Sequence, residues 1–369
     1  MARLHTHNLN FLIPVQKTQN TGNHSTQDNK KGILLVNLGS PRSTEIEDVK
    51  NYLDEFLMDE KVIDYRWFFR NLLVRGIILR TRPKKSAEAY KTVWTPKGSP
   101  LIVYTEKLRD KLLKKMNLPV EIAMRYAQPS IENGMKALAE KGVTQVVLFP
   151  LYPQYAMSTT ETVIEKAEEV KKEKFSEVQI HYVTPFYNKN SYLDALAKSI
   201  KENLPKEFDA LMFSYHGIPE RHLYKTDPTG TCRIGKCCFE KNRPSHQFCY
   251  RHQCYKTTEE IAKRLHLPKD RIIVSFQSRL GKDKWIEPYT DETLEKLPKK
   301  GIKNLVVCCP AFVSDCLETL EEIAIGGKNS FLRAGGENFH YIPCLNDNDA
   351  WVEVIKELSE EKLNEFYLI

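Results

Sequence analysis

Short apolar runs alternate with longer stretches of mixed polarity along most of the chain. Each run is bounded by glycine, proline or polar residues, which is typical of buried strands, and the stretches between the runs favour helices. Strands are predicted at residues 31–39, 120–127, 145–151, 178–187, 209–215, 271–277, 303–309 and 338–343. Because strands and helices alternate in this way, the sequence predicts an α/β fold in which helices cover both faces of a parallel sheet.

The alternation of elements occurs twice, and the length of 369 residues suits two domains or one large α/β domain. We predict a first domain over residues 31–205, preceded by a flexible extension over residues 1–30 that is rich in Asn, Gln, Thr and His. A second domain is predicted over residues 206–347, with a cysteine-rich insert at 228–255. A last helix within residues 348–369 is expected to pack back onto the first domain.

Composition excludes some classes of partner. Apolar residues make up 41% of the chain and charged residues 28%, as in ordinary globular proteins. The net charge of +7 is too small and too diffuse to indicate nucleic acid, although it suits an anionic lipid surface. The sequence contains neither an apolar run of membrane-spanning length nor the apolar core of a secretory signal. We therefore expect a cytoplasmic protein in which metal ligation or free thiols are favoured over disulfides.

His216 stands at the end of an apolar run, directly before Gly217 and Pro219. Ligands in open α/β sheets bind outside the carboxyl ends of strands, and an imidazole there can exchange protons near neutral pH or bind a metal. A histidine that only caps the strand is the alternative. The glycine and proline that follow favour a functional site.

A second strand end carries a cation. Arg125 and Tyr126 follow the apolar run that starts at Val120, a position at which a guanidinium can meet a substrate carboxylate.

Residues 65–80 mix apolar side chains with Arg66, Arg70, Arg75 and Arg80. This pattern suits a helix at a membrane interface or the lip of a pocket for an apolar ligand. A core-facing helix with solvated arginines is an equal alternative.

A row of carboxylates follows the predicted strand 303–309. Glu318 and Glu322 are four residues apart, so they share one face of the helix that begins there. Such a row can attract a divalent cation and accept protons. The alternative is the general preference of acidic residues for the first turn of a helix.

With these residues in place, the chain resembles the ferrochelatase family. The resemblance rests chiefly on Ser214-Tyr-His-Gly-Ile-Pro219 and on Asp315 with Leu317-Glu-Thr-Leu320. Further matching stretches lie at residues 35–41, 98–101, 125–126, 150–155, 158–160, 276–278 and 312–315. They follow one another in order over most of the chain.

The resemblance implies two Rossmann-like domains with a porphyrin cleft between them. It also implies a lyase that inserts Fe²⁺, its substrate metal, into protoporphyrin IX in haem biosynthesis. Coproporphyrin as the substrate, a non-catalytic tetrapyrrole- or metal-binding protein, and a cobalt-loading sister chelatase remain alternatives. The lip segment is expected to touch a membrane, which would place the protein peripherally on its inner face. Both a monomer and a homodimer remain open.

By the same resemblance, His216 and Glu318 are the catalytic pair, and both handle the metal together with Glu322. His216 is expected to take a pyrrole proton. The residues implied in substrate binding are Arg125, Tyr126 and Ser158. The chain departs from many family members at Cys316, where they carry a histidine.

Five cysteines lie in the insert with the spacing C-x4-C-C-x10-C-x4-C. They are Cys232, Cys237, Cys238, Cys249 and Cys254. Four thiolates among them would satisfy an iron–sulfur cluster or a structural zinc ion, and the absence of a C-x2-C pair disfavours zinc. Because some ferrochelatases carry a 2Fe–2S cluster, the resemblance adds this cofactor as a hypothesis. A loop with free or paired thiols is the equal alternative.

Overall fold

The computed structural model describes residues 30–281 and 283–366, so the extension predicted over residues 1–30 lies outside the described residues apart from Lys30. The strands are β1 (Lys30–Asn37), β2 (Val120–Met124), β3 (Val143–Pro150), β4 (Gln179–Tyr182), β5 (Ala210–His216), β6 (Ile272–Gln277), β7 (Asn304–Cys308) and β8 (Asn338–Tyr341). The helices are α1 (Ile46–Leu57), α2 (Trp67–Leu73), α3 (Leu79–Val93), α4 (Pro100–Leu113), α5 (Ile131–Glu140), α6 (Thr162–Lys174), α7 (Asn190–Asn203), α8 (Glu220–Lys225), α9 (Tyr250–Arg264), α10 (Thr290–Lys296), α11 (Lys328–Arg333) and α12 (Asp349–Glu365).

The strands form two sheets of four with the same plan. The first sheet has the order β2-β1-β3-β4 and the second the order β6-β5-β7-β8. Every pair of neighbouring strands is parallel, which confirms the predicted α/β class. In each sheet the chain leaves a central strand, adds a neighbour on one side and then crosses to the other side. Such a switch of direction opens a crevice at the carboxyl ends of the strands.

One apolar core runs between the two sheets. It joins Leu35 and Phe149 of the first sheet to Phe213 and Val306 of the second. Trp351 of α12 is fully buried in this core and meets the ring of Phe149 edge to face, with centroids 6.3 Å apart. Removing such an indole would cost about 3–5 kcal/mol. Helix α12 packs against strands β3 and β4 of the first sheet and against helices α4 and α7.

Among the described residues, three helices are preceded by π-helical turns that the apolar pattern does not reveal. These turns span Val74–Ile78 before α3, Met157–Glu161 before α6 and Glu318–Gly327 before α11. On the second of these turns, Glu161 accepts hydrogen bonds from Lys61 (2.5 Å) and Tyr155 (2.6 Å). Single π turns often mark functional positions in helices.

Candidate active site

His216 is the last residue of β5, the strand at which the second sheet changes direction. Its Nδ1 lies 2.5 Å from the carbonyl oxygen of Gly217, and its own carbonyl accepts a hydrogen bond of 2.9 Å from the Tyr250 hydroxyl. Because a carbonyl can only accept, Nδ1 carries the hydrogen, so in the neutral imidazole the lone pair lies on Nε2. The imidazole is therefore oriented by the backbone and offers one free basic nitrogen.

Gly217 lets the turn after His216 sit against the neighbouring strand. A Cβ at this position would lie 2.9 Å from the carbonyl oxygen of Gln277 and 3.2 Å from the Trp285 ring. The Gly217 N–H donates to that same carbonyl at 2.6 Å. A side chain here would push the histidine turn away from the sheet.

Glu318 and Glu322 lie on the π-helical segment Glu318–Gly327, which follows β7 on the other side of the crevice. The carboxylate of Glu322 interacts electrostatically with both His216 and Glu318. Burial raises the pKa of Glu322, and hydrogen bonds from Ser278 partly oppose that rise. The structure thus brings together the three residues that the sequence predicted for proton and metal handling.

Two tyrosines from the first sheet's helices face this carboxylate row. Tyr52 of α1 and Tyr90 of α3 are buried, and burial together with nearby groups that include Glu318 raises the pKa of each phenol. Both therefore stay protonated near neutral pH and keep a hydrogen to donate. Sequence reasoning missed them, since nothing in a helix's apolar stripe shows that one of its tyrosines meets a carboxylate far along the chain.

The residues predicted to bind substrate on the first sheet have protein partners. The guanidinium of Arg125 donates to Asp59 at 2.5 Å and to the Thr162 hydroxyl at 2.7 Å. The hydroxyl of Tyr126 donates to the same Asp59 oxygen at 2.9 Å. Burial, followed by the Asp59 charge, raises the pKa of Tyr126. Ser158 lies partly buried on the π turn before α6.

An apolar patch projects outward from the segment after Asp64. Its most exposed side chains are Trp67 (61%), Phe68 (66%), Phe69 (59%), Leu72 (58%) and Ile77 (60%). These five side chains point away from the core, whereas Arg70, Val74 and Leu79 of the same segment are buried, so the segment has one exposed apolar face and one face in the core. No helix in the described part of the chain is both long and apolar enough to cross a membrane.

An ionic cluster ties the base of this patch to the segment after His216. The carboxylate of Asp64 accepts hydrogen bonds from Arg221 (2.6 Å to Nη2) and from Lys225. Arg221 also reaches Asp283 at 2.7 Å, and Asp283 accepts a hydrogen bond of 2.8 Å from Tyr65. These ion pairs and hydrogen bonds link the residues just before α2 to the residues that follow β5.

The insert brings four of its five thiols together. Cys249 interacts with Cys232 and Cys238, and Cys232 also interacts with Cys237. Hydrogen bonding from Cys249, opposed by burial and supported by Arg251, lowers the pKa of Cys238 to about 5. Across residues 30–281 and 283–366, no group of three or more His, Cys, Asp or Glu has an arrangement that could hold a metal ion.

Cys254, the fifth thiol, interacts electrostatically with Cys238 but has Tyr250 as its hydrogen-bond partner. It is fully buried within α9, where it interacts with the Tyr250 side chain. Cys308 and Cys309 are buried at the end of β7, as their apolar surroundings predict. Cys316 is buried too, beside Glu318.

Solved structures of similar shape are chelatases. SirB from Bacillus subtilis with Fe³⁺ matches with a TM-score of 0.50 and 15% identity, covering 89% of this chain and 95% of that one. The sirohydrochlorin chelatase SirB from Bacillus subtilis subspecies spizizenii, in complex with cobalt, matches with a TM-score of 0.52 and 11% identity, covering 91% and 96%. At these identities the likeness concerns the fold alone, and it confirms the predicted two-domain chelatase architecture.

Sequence comparison identifies the family. The ferrochelatase family model matches residues 30–363. Ferrochelatases from Stutzerimonas stutzeri and Ectopseudomonas mendocina are each 49% identical to the chain, over 332 and 330 residues, which is 89% of this chain and 97% of each relative. The ferrochelatase of Pseudomonas savastanoi is 48% identical over 330 residues. The family and the enzyme class predicted from the motifs, a porphyrin metal chelatase of the lyase class, are confirmed: the chain belongs to the ferrochelatase family.

Proposed function

We propose that the chain inserts Fe²⁺ into protoporphyrin IX to form haem, with the crevice at the end of β5 as its active site. The observation that carries this proposal is the arrangement of His216 and Glu322. An imidazole with one free nitrogen interacts with a half-buried carboxylate at the carboxyl edge of a parallel sheet. Proton removal and metal delivery both need such groups.

The reaction exchanges two protons for one metal ion, so charge balances without a redox step. His216 takes one pyrrole proton on Nε2. Glu318 and Glu322 guide the dehydrating Fe²⁺ or accept the second proton. Because burial raises the pKa of Glu322, this carboxylate is a stronger base than an ordinary glutamate. A ring bent by contacts elsewhere in the pocket would expose its nitrogen lone pairs to the ion.

The walls of the pocket come from both sheets. Tyr52 and Tyr90 supply phenol hydrogens opposite Glu318. We propose Arg125, Tyr126 and Ser158 as the substrate-binding residues of the first sheet. Asp59 already holds the first two, so they would act as part of a fixed wall.

Replacing the proposed base tests this function. His216→Ala should lower the rate of haem formation roughly a thousandfold, the range expected for loss of a general base, while porphyrin still binds. The measurement is anaerobic haem formation from Fe²⁺ and protoporphyrin, with porphyrin affinity followed by fluorescence. His340→Ala, an exposed histidine, is the control. A parent chain that binds porphyrin but never inserts the metal would instead be a non-catalytic binding protein. Faster metal insertion into coproporphyrin than into protoporphyrin would identify coproporphyrin as the substrate.

We propose that the apolar patch around Trp67 rests on the inner face of a membrane, with the protein in the cytoplasm. Outward-facing Trp, Phe and Leu side chains beside arginines are typical of interfacial helices. Co-sedimentation with vesicles of anionic lipid should fall strongly when Trp67, Phe68 and Phe69 are replaced together by serine. Unchanged sedimentation would contradict the membrane contact. The same samples give the oligomeric state by light scattering.

We propose further that Cys232, Cys237, Cys238 and Cys249 hold a 2Fe–2S cluster. The support is the donor set: four thiols interact with one another, and Cys249 together with Arg251 lowers the pKa of Cys238, which favours its thiolate. Among the described residues, no group of side chains is already arranged to hold a metal ion. Only the identity of the ligands is therefore proposed. When bound, such a cluster supplies a one-electron redox centre. The chain's part is to provide thiolates, beside which Arg251 places a positive charge.

An absorption spectrum of protein purified without oxygen tests the cluster. Visible bands that bleach with dithionite are expected, and Cys238→Ser should abolish them. Cys254→Ser is the matched control, because the Cys254 thiol is hydrogen-bonded with Tyr250 and reaches the thiol group through an electrostatic interaction with Cys238 and not through a hydrogen bond. A colourless parent that forms haem would leave the insert as a structural loop.

A further inference from the structure

The dipeptide Gln277–Ser278 lies between the two halves of the candidate active site. The carbonyl of Gln277 accepts the Gly217 N–H at 2.6 Å, directly after His216. Its side-chain amide donates to the backbone carbonyl of Glu318 at 2.8 Å and accepts from Ser214 at 2.8 Å. Through its backbone carbonyl and its buried side chain, Gln277 at the end of β6 thereby links the histidine turn to the carboxylate helix.

Ser278 continues this bridge in an unusual backbone conformation. Its φ is +62°, in the left-handed region that residues other than glycine rarely adopt. In this conformation the Ser278 N–H donates to Oε1 of Glu322 at 2.9 Å, while its hydroxyl donates to Oε2 at 2.5 Å. Both oxygens of one carboxylate are thus held by two donors of one residue.

We propose that Ser278 is a positioning residue for metal insertion, which acts by fixing the orientation of Glu322 toward His216. The inference deepens the proposed function and rests on it, since it requires Glu322 to act on the ion or the proton. Strained backbone persists where the surrounding structure determines it, and such strain is concentrated at functional sites. Here the strained residue directs both of its donors at a carboxylate that the reaction needs.

The donors that Ser278 offers to Glu322 carry no charge, and this affects what the carboxylate can do. In the described part of the chain, Glu322 has no ion pair with lysine or arginine, and its partners there are the neutral donors of Ser278. A cation would fix the carboxylate and also cancel its charge. Neutral donors fix it and leave the negative charge for an incoming Fe²⁺ or a pyrrole proton.

Ser278→Gly separates orientation from folding. Glycine adopts a φ of +62° without strain and keeps the backbone N–H, so only the hydroxyl donor to Oε2 is lost. We expect kcat/KM for Fe²⁺ to fall about tenfold, as for one hydrogen bond to a charged group. Porphyrin affinity should stay within about twofold, because Ser278 is proposed to act on Glu322 and not on the porphyrin. The thermal midpoint should change little.

A double-substitution cycle shows whether the loss acts through Glu322. Single-turnover haem formation is compared for the parent, Ser278→Gly, Glu322→Gln and the double variant, since excess enzyme lets slow rates be measured. In the Glu322→Gln background, Ser278→Gly should change the rate less than about twofold. Arg279→Ala is the control for local disturbance, because Arg279 is the next residue but pairs with Asp291 at the surface.

The outcomes separate the two proposals. A parent chain that forms no haem overturns the proposed function itself. A parent that forms haem, with Ser278→Gly within twofold of it, overturns only the positioning role. An equal tenfold loss with and without Glu322 also overturns that role, because the effect would then be independent of the carboxylate.

Discussion

Asp59 and Glu322 both accept hydrogen bonds, but the partners of Asp59 include a cation and those of Glu322 are neutral. Oδ2 of Asp59 accepts the Arg125 guanidinium at 2.5 Å, the Thr162 hydroxyl at 2.6 Å and the Tyr126 hydroxyl at 2.9 Å. Glu322 accepts only from Ser278 among the hydrogen bonds found in the described residues. The first carboxylate is neutralised by a cation, whereas the second is held without one.

This difference separates a structural carboxylate from a reactive one. A carboxylate paired with arginine is satisfied as an anion, and removing its charge leaves a guanidinium without its partner. A carboxylate held by neutral donors keeps its charge for a substrate, and burial raises its pKa so that it can also accept a proton. If this is correct, matched substitutions at the two sites should have opposite effects on rate and on stability.

Of the matched carboxylate substitutions, Glu322→Gln is expected to have the largest effect on catalysis. The amide keeps the size of the side chain but has neither the charge nor the basicity, so haem formation should fall about a hundredfold. The thermal midpoint should stay the same or rise, because a half-buried charge without a lysine or arginine partner is removed. Steady-state haem formation and a melting curve test this. The neighbouring Glu321→Gln is the control, and a large fall in its rate would show that helix charge in general, and not Glu322, matters.

Asp59→Asn should instead lower the stability of the chain strongly and the rate of haem formation only slightly. Arg125 would lose its ion pair while remaining largely buried, so we expect a loss of about 2–3 kcal/mol in the free energy of unfolding. The rate of haem formation at a temperature where the variant is folded should fall by less than about tenfold. Denaturant unfolding measures the first quantity, with the exposed Glu60→Gln as control. A variant as stable as the parent would show that Asp59 is not the structural partner inferred here.

The fold and the reactive residues were predictable because they follow from position along strands. Apolar runs identify buried strands, His216 ends β5, and Glu318 begins the helical segment that follows β7. The π-helical turns were not predictable, since π and α helices bury similar patterns of residues. The strand predicted at 178–187 is shorter, Gln179–Tyr182, because only these residues pair with β3.

The partners of the reactive residues were missed for a different reason. Ser278 and Asp59 reach their partners across 44 and 66 or more residues of chain, and no local pattern encodes such a meeting. Tyr52 and Tyr90 were missed for the same cause. In the insert, the spacing of the cysteines predicted a thiol cluster as a hypothesis. It could not show that Cys254 has Tyr250 as its hydrogen-bond partner, because this depends on how Cys254 is turned within α9.

The smallest effect is expected at Asp64, a third carboxylate that combines burial with two cations. Burial opposes its ionisation, but hydrogen bonds from Arg221 and Lys225 lower its pKa well below the usual value for aspartate. Asp64→Asn should therefore loosen the contact between the apolar patch and α8 and lower the thermal midpoint by a few degrees, about 1 kcal/mol. If Asp64 resembles Asp59, haem formation should change little.

The dependence of that loss on pH tests the cause. Because the pKa of Asp64 is lower in the folded chain than in the unfolded one, its contribution is full above the ordinary aspartate value of about 4 and is lost as pH falls toward the folded value. The difference in thermal midpoint between the parent and Asp64→Asn should thus be constant near neutral pH and shrink below about pH 4. Asp110→Asn, an exposed aspartate beside Arg109, should show no such difference at any pH. If the difference in thermal midpoint does not change with pH, the asparagine side chain disturbs packing. The cluster around Asp64 would then stabilise the patch through packing and not through charge.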